Sequence, residues 1–324
     1  MEEKKPKIRW KLADQSAIQQ SLFPNEQDQI LEKQIGKGAF AGFEFYHVIA
    51  KKIINPVPEK SKMRFRYTIN PYRGCSHSCT YCFARPTHEW LGLNIGQDFD
   101  TKIVVKINAA QRLRVELSHY GWDRSRIAMG TNTDPYQRAE GKYKLTKAII
   151  RELILARNPF SILTKSTLIL RDLQELKEAA SKKLVRVNLS IGTLDETIWK
   201  LSEPGTPHPQ LRLNALEKLN KEGIPTGVLI APILPGISDN KDQLKVLVQK
   251  CIEAKAVNIS PVLLHLRPGV KQHYMEWLEQ ARPDLVSHYR HWYKKSSYLP
   301  SKSQQDLTKE VKNLILEYKQ GKRI

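Results

Sequence analysis

Long apolar runs are missing from this 324-residue chain. The longest, Gly227–Ile233, has the length of a strand and falls far below the roughly 18 residues that a membrane-spanning helix requires. The charged opening MEEKKPKIRW leads into no apolar segment of the kind that directs secretion, so a cytoplasmic protein with no membrane partner is expected. Cysteine is scarce as well, and four residues cannot supply a disulfide scaffold for a chain of this size. Acidic residues are the third shortage: 33 Asp and Glu stand against 53 Lys and Arg, for a formal net charge of +20. What is present, 40% apolar and 27% charged residues, is the balance of a folded protein rather than a disordered one. The length suits one or two domains with a full core.

Both the cysteines and the excess charge are unevenly placed. Cys75, Cys79 and Cys82 fall within eight residues, while Cys251 stands alone. In a reducing compartment a tight triplet points to a metal or cluster site, and an isolated thiol inside a helix to a buried structural role. Residues 1–50 balance seven basic against seven acidic residues, whereas residues 51–150 hold 18 and 8. Half of the excess therefore surrounds the triplet. A lysine-rich surface serving solubility is one reading; collection of a polyanionic substrate, nucleic acid first, is the other.

Residues 1–60 read as an N-terminal extension: a Gln-rich stretch over 15–34, then Gly36, Gly38 and Gly42, then Pro56 and Pro58 among lysines as a linker. Beyond it, apolar patterning predicts strands at Arg64–Ile69, Arg126–Gly130, Phe160–Lys165, Val185–Ile191, Gly227–Ile233 and Val257–Leu264. Helical spacing falls between them at Ala109–Leu117, Tyr143–Arg157, Thr167–Lys183, Pro209–Glu222 and Lys241–Ala254, the fourth stopped by Gly223. Alternating strands and helices imply parallel βαβ units. Six of them over residues 61–270 predict an α/β fold, a partial (β/α)6 TIM-type barrel, with its chemistry at the C-terminal ends of the strands. Residues 271–324 form a helical extension rich in aromatics (Tyr274, Trp277, Tyr289, Trp292, Tyr293), expected to pack across one end of the barrel.

Cys75-x3-Cys79-x2-Cys82 follows the first of these strands, at the predicted rim. Three thiolates can hold three irons of a [4Fe–4S] cube and leave the fourth open to a ligand, whereas an electron-carrying ferredoxin uses four. A Cys3His zinc site completed by His77 or His88, stabilising a nucleic-acid-binding module, is the alternative.

With Tyr81 ahead of its last cysteine, the triplet resembles the cluster motif of the radical S-adenosylmethionine (SAM) superfamily. The wider string INPYRGCSHSCTYCFAR (69–85) is similar to the spore photoproduct lyase-like, or photolyase-like, branch of that superfamily. The similarity continues through GTNTDPYQRAE (130–140), ILTKS (162–166), LSIGTLDE (189–196), EPGTPHP (203–209) and APILPGISD (231–239), and so covers roughly residues 60–270. It implies a barrel of the radical SAM kind and a [4Fe–4S] cluster on Cys75, Cys79 and Cys82 whose open iron chelates SAM. It also implies reductive cleavage of SAM to methionine and a 5′-deoxyadenosyl radical, with a reductant such as flavodoxin or ferredoxin as partner.

The cofactor-binding residues that the resemblance implies are Tyr81, Thr131, Asn132, Thr133, Lys165 and Ser190. Thr131, Asn132 and Thr133 follow the second strand, where the superfamily contacts the SAM amino group, although N-T-D-P suits an Asx or Ser/Thr turn equally well. Lys165 closes an apolar strand and would meet the SAM carboxylate, against the plainer reading of a solvated strand-end lysine. Ser190 would face the barrel interior beside it. Asp134, Tyr136, Gln137, Arg138 and Glu140 suit substrate recognition or a solvated loop, and Glu203 with Gly205–Pro207 a site turn or a mere connector. His265 and Arg267 follow the sixth strand, where arginine could meet a phosphate, and Arg73 and Arg85 flank the cluster loop. The chain departs from spore photoproduct lyase in one respect. That enzyme quenches its product radical with an additional cysteine at the end of the second strand; here the strand ends in Gly130-Thr131, with no cysteine between Cys82 and Cys251. The relative's substrate is therefore not transferred. The expected function is a radical SAM enzyme acting on a nucleic acid, with a peptide or small metabolite as the alternative substrate.

Overall fold

A computed structural model describes residues 30–61, 63 and 65–321. Its strands, in chain order, are β1 (Ile30–Ile35), β2 (Glu44–Val48), β3 (Ile54–Pro56), β4 (Tyr67–Ile69), β5 (Tyr72–Arg73), β6 (Lys102–Lys106), β7 (Ile127–Met129), β8 (Phe160–Thr164), β9 (Val185–Ser190), β10 (Thr226–Ile233) and β11 (Ile259–Leu263). Seven of them form one open sheet in the order β11-β10-β9-β8-β7-β4-β3. From β4 to β11 every neighbouring pair in it is parallel, and β3 adds antiparallel at the edge. The six strands expected from the sequence are thus all present as an incomplete α/β barrel; Arg64, the expected start of the first, lies outside the described residues.

Side-chain alternation explains which face of this sheet is dry. Phe160 and Ile162 of β8 and Val185, Val187 and Leu189 of β9 are buried. They pack with Ile149, Ile150 and Leu153 of the helix Leu145–Leu155 and with Leu213, Leu216 and Leu219 of the helix Pro209–Lys221. Each such side chain contributes about 1.5–3 kcal/mol by leaving water, which fixes the register of the strands against the helical layer. The intervening residues, Ser161, Arg186 and Asn188, are small or polar and remain partly or fully exposed on the barrel's inner face. The helix Pro209–Lys221 begins with a proline whose missing N–H costs nothing at that position and is followed by Gly223 in a left-handed conformation. The segment 167–183 starts as a 3-10 turn (Thr167–Asp172) and becomes an α-helix only at Leu173–Ser181.

The segment expected to be an extension and linker carries strands. β1 and β2 pair antiparallel, β2 runs parallel to β6, and β5 completes a second sheet in the order β1-β2-β6-β5. Pro56 ends β3 rather than a linker, and as an edge strand β3 tolerates a residue that cannot donate to a ladder. This second sheet matters for the site. The chain leaves β4, passes through β5, which ends two residues before Cys75, and is pinned there by pairing of Tyr72 with Val105 and Arg73 with Val104.

At the C-terminus, the helices Val270–Ala281 and Val286–Trp292 pack where the sequence places them. Tyr274, Tyr289 and Tyr293 form a cluster with Leu234, Leu264 and Leu266 at the strand ends and with Cys79 and Tyr81. The final helix, Ser301–Gly321, does not cross the barrel end; it lies along the helix Lys241–Glu253, with Val311 and Leu314 in the main core. Among the described residues, no helix is long and apolar enough to cross a membrane.

Candidate active site

The cysteine loop is held by hydrogen bonds from four separate parts of the chain. Cys75 N–H donates to the Phe99 carbonyl at 2.9 Å, and Thr80 N–H to the Ser202 carbonyl at 3.0 Å. Gln137 reaches in from the segment after β7: its Oε1 accepts from Ser76 N–H at 3.1 Å, and its Nε2 donates to the Gly74 carbonyl at 2.9 Å and to Thr133 Oγ1 at 2.8 Å. Thr133 in turn donates to the Gly74 carbonyl at 2.7 Å. Arg85, 1% exposed, donates to the Cys79 carbonyl at 3.0 Å and pairs with Asp100 at 3.0 Å. Two glycines are required by this packing. Gly74 has φ +83°, and a Cβ there would lie 2.9 Å from the Phe99 oxygen; a Cβ on Gly205 would lie 2.1 Å from the Ser76 oxygen.

This arrangement groups three thiols that are costly to ionise one at a time. Cys75 and Cys79 are buried and Cys82 is partly so. Burial pushes Cys79 up to about 12, with Lys165 pulling the other way, and it raises Cys75 well above the ordinary thiol value. Cys82 is also raised by burial, against the nearby Arg85. The negative charges of the thiolates further oppose one another. Such a donor set suits a multiply charged metal core, which neutralises all three together. The residues therefore fit an iron–sulfur cluster by their chemistry. The fourth cysteine, Cys251, is elsewhere, fully buried in the main core on the helix Lys241–Glu253.

Each histidine considered as a further ligand is engaged through one ring nitrogen. His77 Nδ1 lies 3.3 Å from Asp134, and His88 Nε2 lies 2.9 Å from the Lys102 carbonyl. Among the described residues, no three His, Cys, Asp or Glu side chains converge on a single-ion site.

At the C-terminal ends of β8 and β9 the inner face carries a polar cluster. Lys165 Nζ is 2.5 Å from Ser190 Oγ, 3.3 Å from the Ala231 carbonyl and 3.7 Å from Glu203 Oε1, and it sits 5.7 Å from the centre of the Tyr81 ring. The Tyr81 hydroxyl donates to Glu203. Glu203 Oε2 lies 2.6 Å from the buried Arg212 guanidinium. Burial alone would raise the Glu203 carboxyl, but Arg212, Lys165 and the Tyr81 hydroxyl bring it down to about 2. Asp134 accepts from Thr164 Oγ1 at 2.6 Å and from Lys165 N–H at 2.7 Å. There too the cost of burial is outweighed, chiefly by His77, and the carboxyl stays below its usual range.

The residues expected from the sequence therefore fall into three groups. Tyr81, Lys165 and Ser190 come together. Thr133 is spent on stitching the cysteine loop, and Thr131 and Asn132 lie beside Asn70, whose Oδ1 accepts from Asn132 N–H at 3.1 Å. Asp134 makes the turn that N-T-D-P allows, accepting from Tyr136 N–H at 2.8 Å. Glu140 is fully buried away from solvent, bonded by the Tyr72 hydroxyl at 2.5 Å and paired with Arg171 at 2.6 Å. An open cleft of about 630 Å³ runs beside the loop, lined by His77, Arg138, Arg171, Thr167 and the turn Pro204–Pro207. His265 stacks on the half-exposed Tyr298 at 4.2 Å and 9°. The sequence offers Glu203 equally as part of a site turn or a connector; Asn70 stands inside the string 69–85 with no role that its type announces, and Arg212 lies outside every motif.

Residues 69–247 match the radical SAM superfamily. An uncharacterized protein of Mycobacterium tuberculosis is 42% identical over 302 residues, covering 93% of this chain and 89% of that protein. An uncharacterized protein of Methanocaldococcus jannaschii is 34% identical over 196 residues, 60% of this chain and 70% of its own length. Among solved structures, spore photoproduct lyase complexed with dinucleoside spore photoproduct is similar in fold, with a TM-score of 0.62 at 16% identity over 84% of this chain and 79% of that one. The chain belongs to the radical SAM superfamily, an enzyme family of SAM-dependent radical chemistry.

Proposed function

We propose that this chain carries a [4Fe–4S] cluster on Cys75, Cys79 and Cys82 and acts on a nucleic-acid substrate. The observation that carries the reading is the grouping of three buried thiols on one loop beside Lys165, Ser190 and Tyr81. Held by Cys75, Cys79 and Cys82, the cluster would supply the electron for reductive cleavage of SAM to methionine and a 5′-deoxyadenosyl radical. The chain's own residues bind and orient. Lys165 and Ser190 take the SAM carboxylate, Thr131 and Asn132 offer hydroxyl and amide groups to its amino end, and Tyr81 supplies a ring face. Thr133 holds the loop to which they are addressed. The apolar cluster of Tyr274, Tyr289, Leu264 and Leu266 keeps bulk water from the cysteine side.

Support for a polyanionic substrate comes from the net charge of +20, from Arg138 in the cleft, and from the stacked His265–Tyr298 pair near Arg267, a surface suited to an unpaired base. An acidic, low-potential electron donor such as a flavodoxin or ferredoxin completes the reaction, in a reducing cytoplasm. The test is formation of 5′-deoxyadenosine from SAM after anaerobic reconstitution and reduction, comparing wild type with Cys79→Ala. Product from wild type alone is expected. Equal product from both, or none from wild type holding its full iron, would refute the assignment.

A further inference from the structure

The cysteine loop does not need Glu203 to stay closed. Its backbone is already stitched to the neighbouring turn by Thr80 N–H on the Ser202 carbonyl and Gly205 N–H on the His77 carbonyl, and to the segment after β7 by Gln137 and Thr133. Yet Glu203 places a carboxylate, 4% exposed, between two side chains of the candidate cofactor site that lie far apart in sequence. A carboxylate at that depth persists only if it is paired. Arg212 provides the pairing at Oε2 and is itself immobilised, donating to the Pro207 carbonyl at 2.9 Å and the Ser190 carbonyl at 3.0 Å. With Oε2 so occupied, Oε1 is presented to Tyr81 on one side and Lys165 on the other.

We infer that Glu203, fixed by Arg212, is a positioning residue that sets the orientation of Tyr81 and Lys165 and so decides how SAM is seated beside the cysteine loop. The inference rests on the radical SAM reading of this site. The distances suit a guide rather than a trap. Lys165 is closest to Ser190 and stands 3.7 Å from Glu203, near enough to be aimed by the charge and too far to be consumed by it. A carboxylate arriving on a ligand can therefore still take the ammonium. The Tyr81 hydroxyl, by contrast, is fully engaged, which fixes the tilt of a ring placed one residue before Cys82.

The experiment compares wild type, Glu203→Gln, Tyr81→Phe and the double variant as full chains after anaerobic reconstitution. Iron and sulfide content, melting temperature, and SAM affinity by equilibrium dialysis are read on each. Expected are wild-type cluster content, SAM affinity weakened about tenfold in Glu203→Gln and several-fold in Tyr81→Phe, and a double variant no weaker than Glu203→Gln, because the Tyr81 hydroxyl acts only through Glu203, which aims Lys165 as well. Tyr81→Phe leaves the Glu203–Arg212 pair intact, so it decides the matter if Glu203→Gln does not fold. Unchanged SAM affinity in the variants, fully additive losses, or a loss of cluster and melting temperature without a separate effect on SAM would overturn the inference alone. Failure of the iron-loaded wild type to bind SAM would overturn the radical SAM reading together with it.

Discussion

Protonation of His88 should destabilise the fold by an amount that can be worked out from its surroundings. The ring is 0% exposed, with Nε2 on the Lys102 carbonyl, Phe99 packed edge-on at 5.1 Å, and no partner for Nδ1. A second proton would add a charge and a buried N–H with nothing to receive it. Burial accordingly lowers the pKa to about 4; the Lys102 carbonyl opposes the shift, and Arg73 and Arg85 add to it. In the unfolded chain the value is about 6.5, so the unfolded state takes up the proton first. Stability from this residue is present above the unfolded pKa and is lost as pH falls towards about 4. Between pH 7 and pH 5 the linkage amounts to about 2 kcal/mol. Urea unfolding of wild type and His88→Gln at both pH values isolates it, since glutamine keeps a donor for Lys102 and does not titrate. Wild type should lose about 2 kcal/mol more than the variant on acidification. Parallel losses, or an NMR titration showing the imidazole protonated at pH 6, would refute the reasoning.

Three further outcomes are expected. Gly205→Ala should lower iron content after reconstitution, because its Cβ cannot stand 2.1 Å from the Ser76 oxygen without displacing the cysteine loop; normal iron content would contradict this packing. Leu216→Ala should cost about 2–5 kcal/mol in unfolding experiments, since the side chain is fully buried between the sheet and its helical layer. Binding of an oligonucleotide should weaken steeply as salt rises from 50 to 200 mM, with a log–log slope that reports the number of phosphates neutralised, whereas a salt-insensitive affinity would count against a nucleic-acid substrate.

The barrel was legible because its signal is repeated. Six apolar strands spaced by amphipathic helices leave little choice of fold, and Phe160, Ile162, Val185 and Val187 fall on the face that their alternation predicts. The second sheet was not. β5 has two residues and β6 five, and the pairing of β6 with β2 on one side and β5 on the other depends on contacts distant in sequence, which local patterning does not encode. The same holds within the site. The cysteine triplet carries a spacing, and Lys165 and Ser190 end strands, so each is visible alone. Glu203 and Arg212 acquire meaning only when the turn after the helix Glu196–Ser202 is folded against Tyr81, 122 residues away. Glu140, which the sequence offers for substrate recognition or a solvated loop, is a buried anchor for Tyr72 and Arg171, a role that no neighbouring residue announces.

The most direct test of the account is a count of iron and acid-labile sulfide per chain after anaerobic reconstitution, followed by electron paramagnetic resonance of the reduced protein with and without SAM. About four of each per chain, and a signal that changes on adding SAM and vanishes in Cys79→Ala, is the predicted result. Zinc in place of iron, or a cluster signal indifferent to SAM, would contradict it.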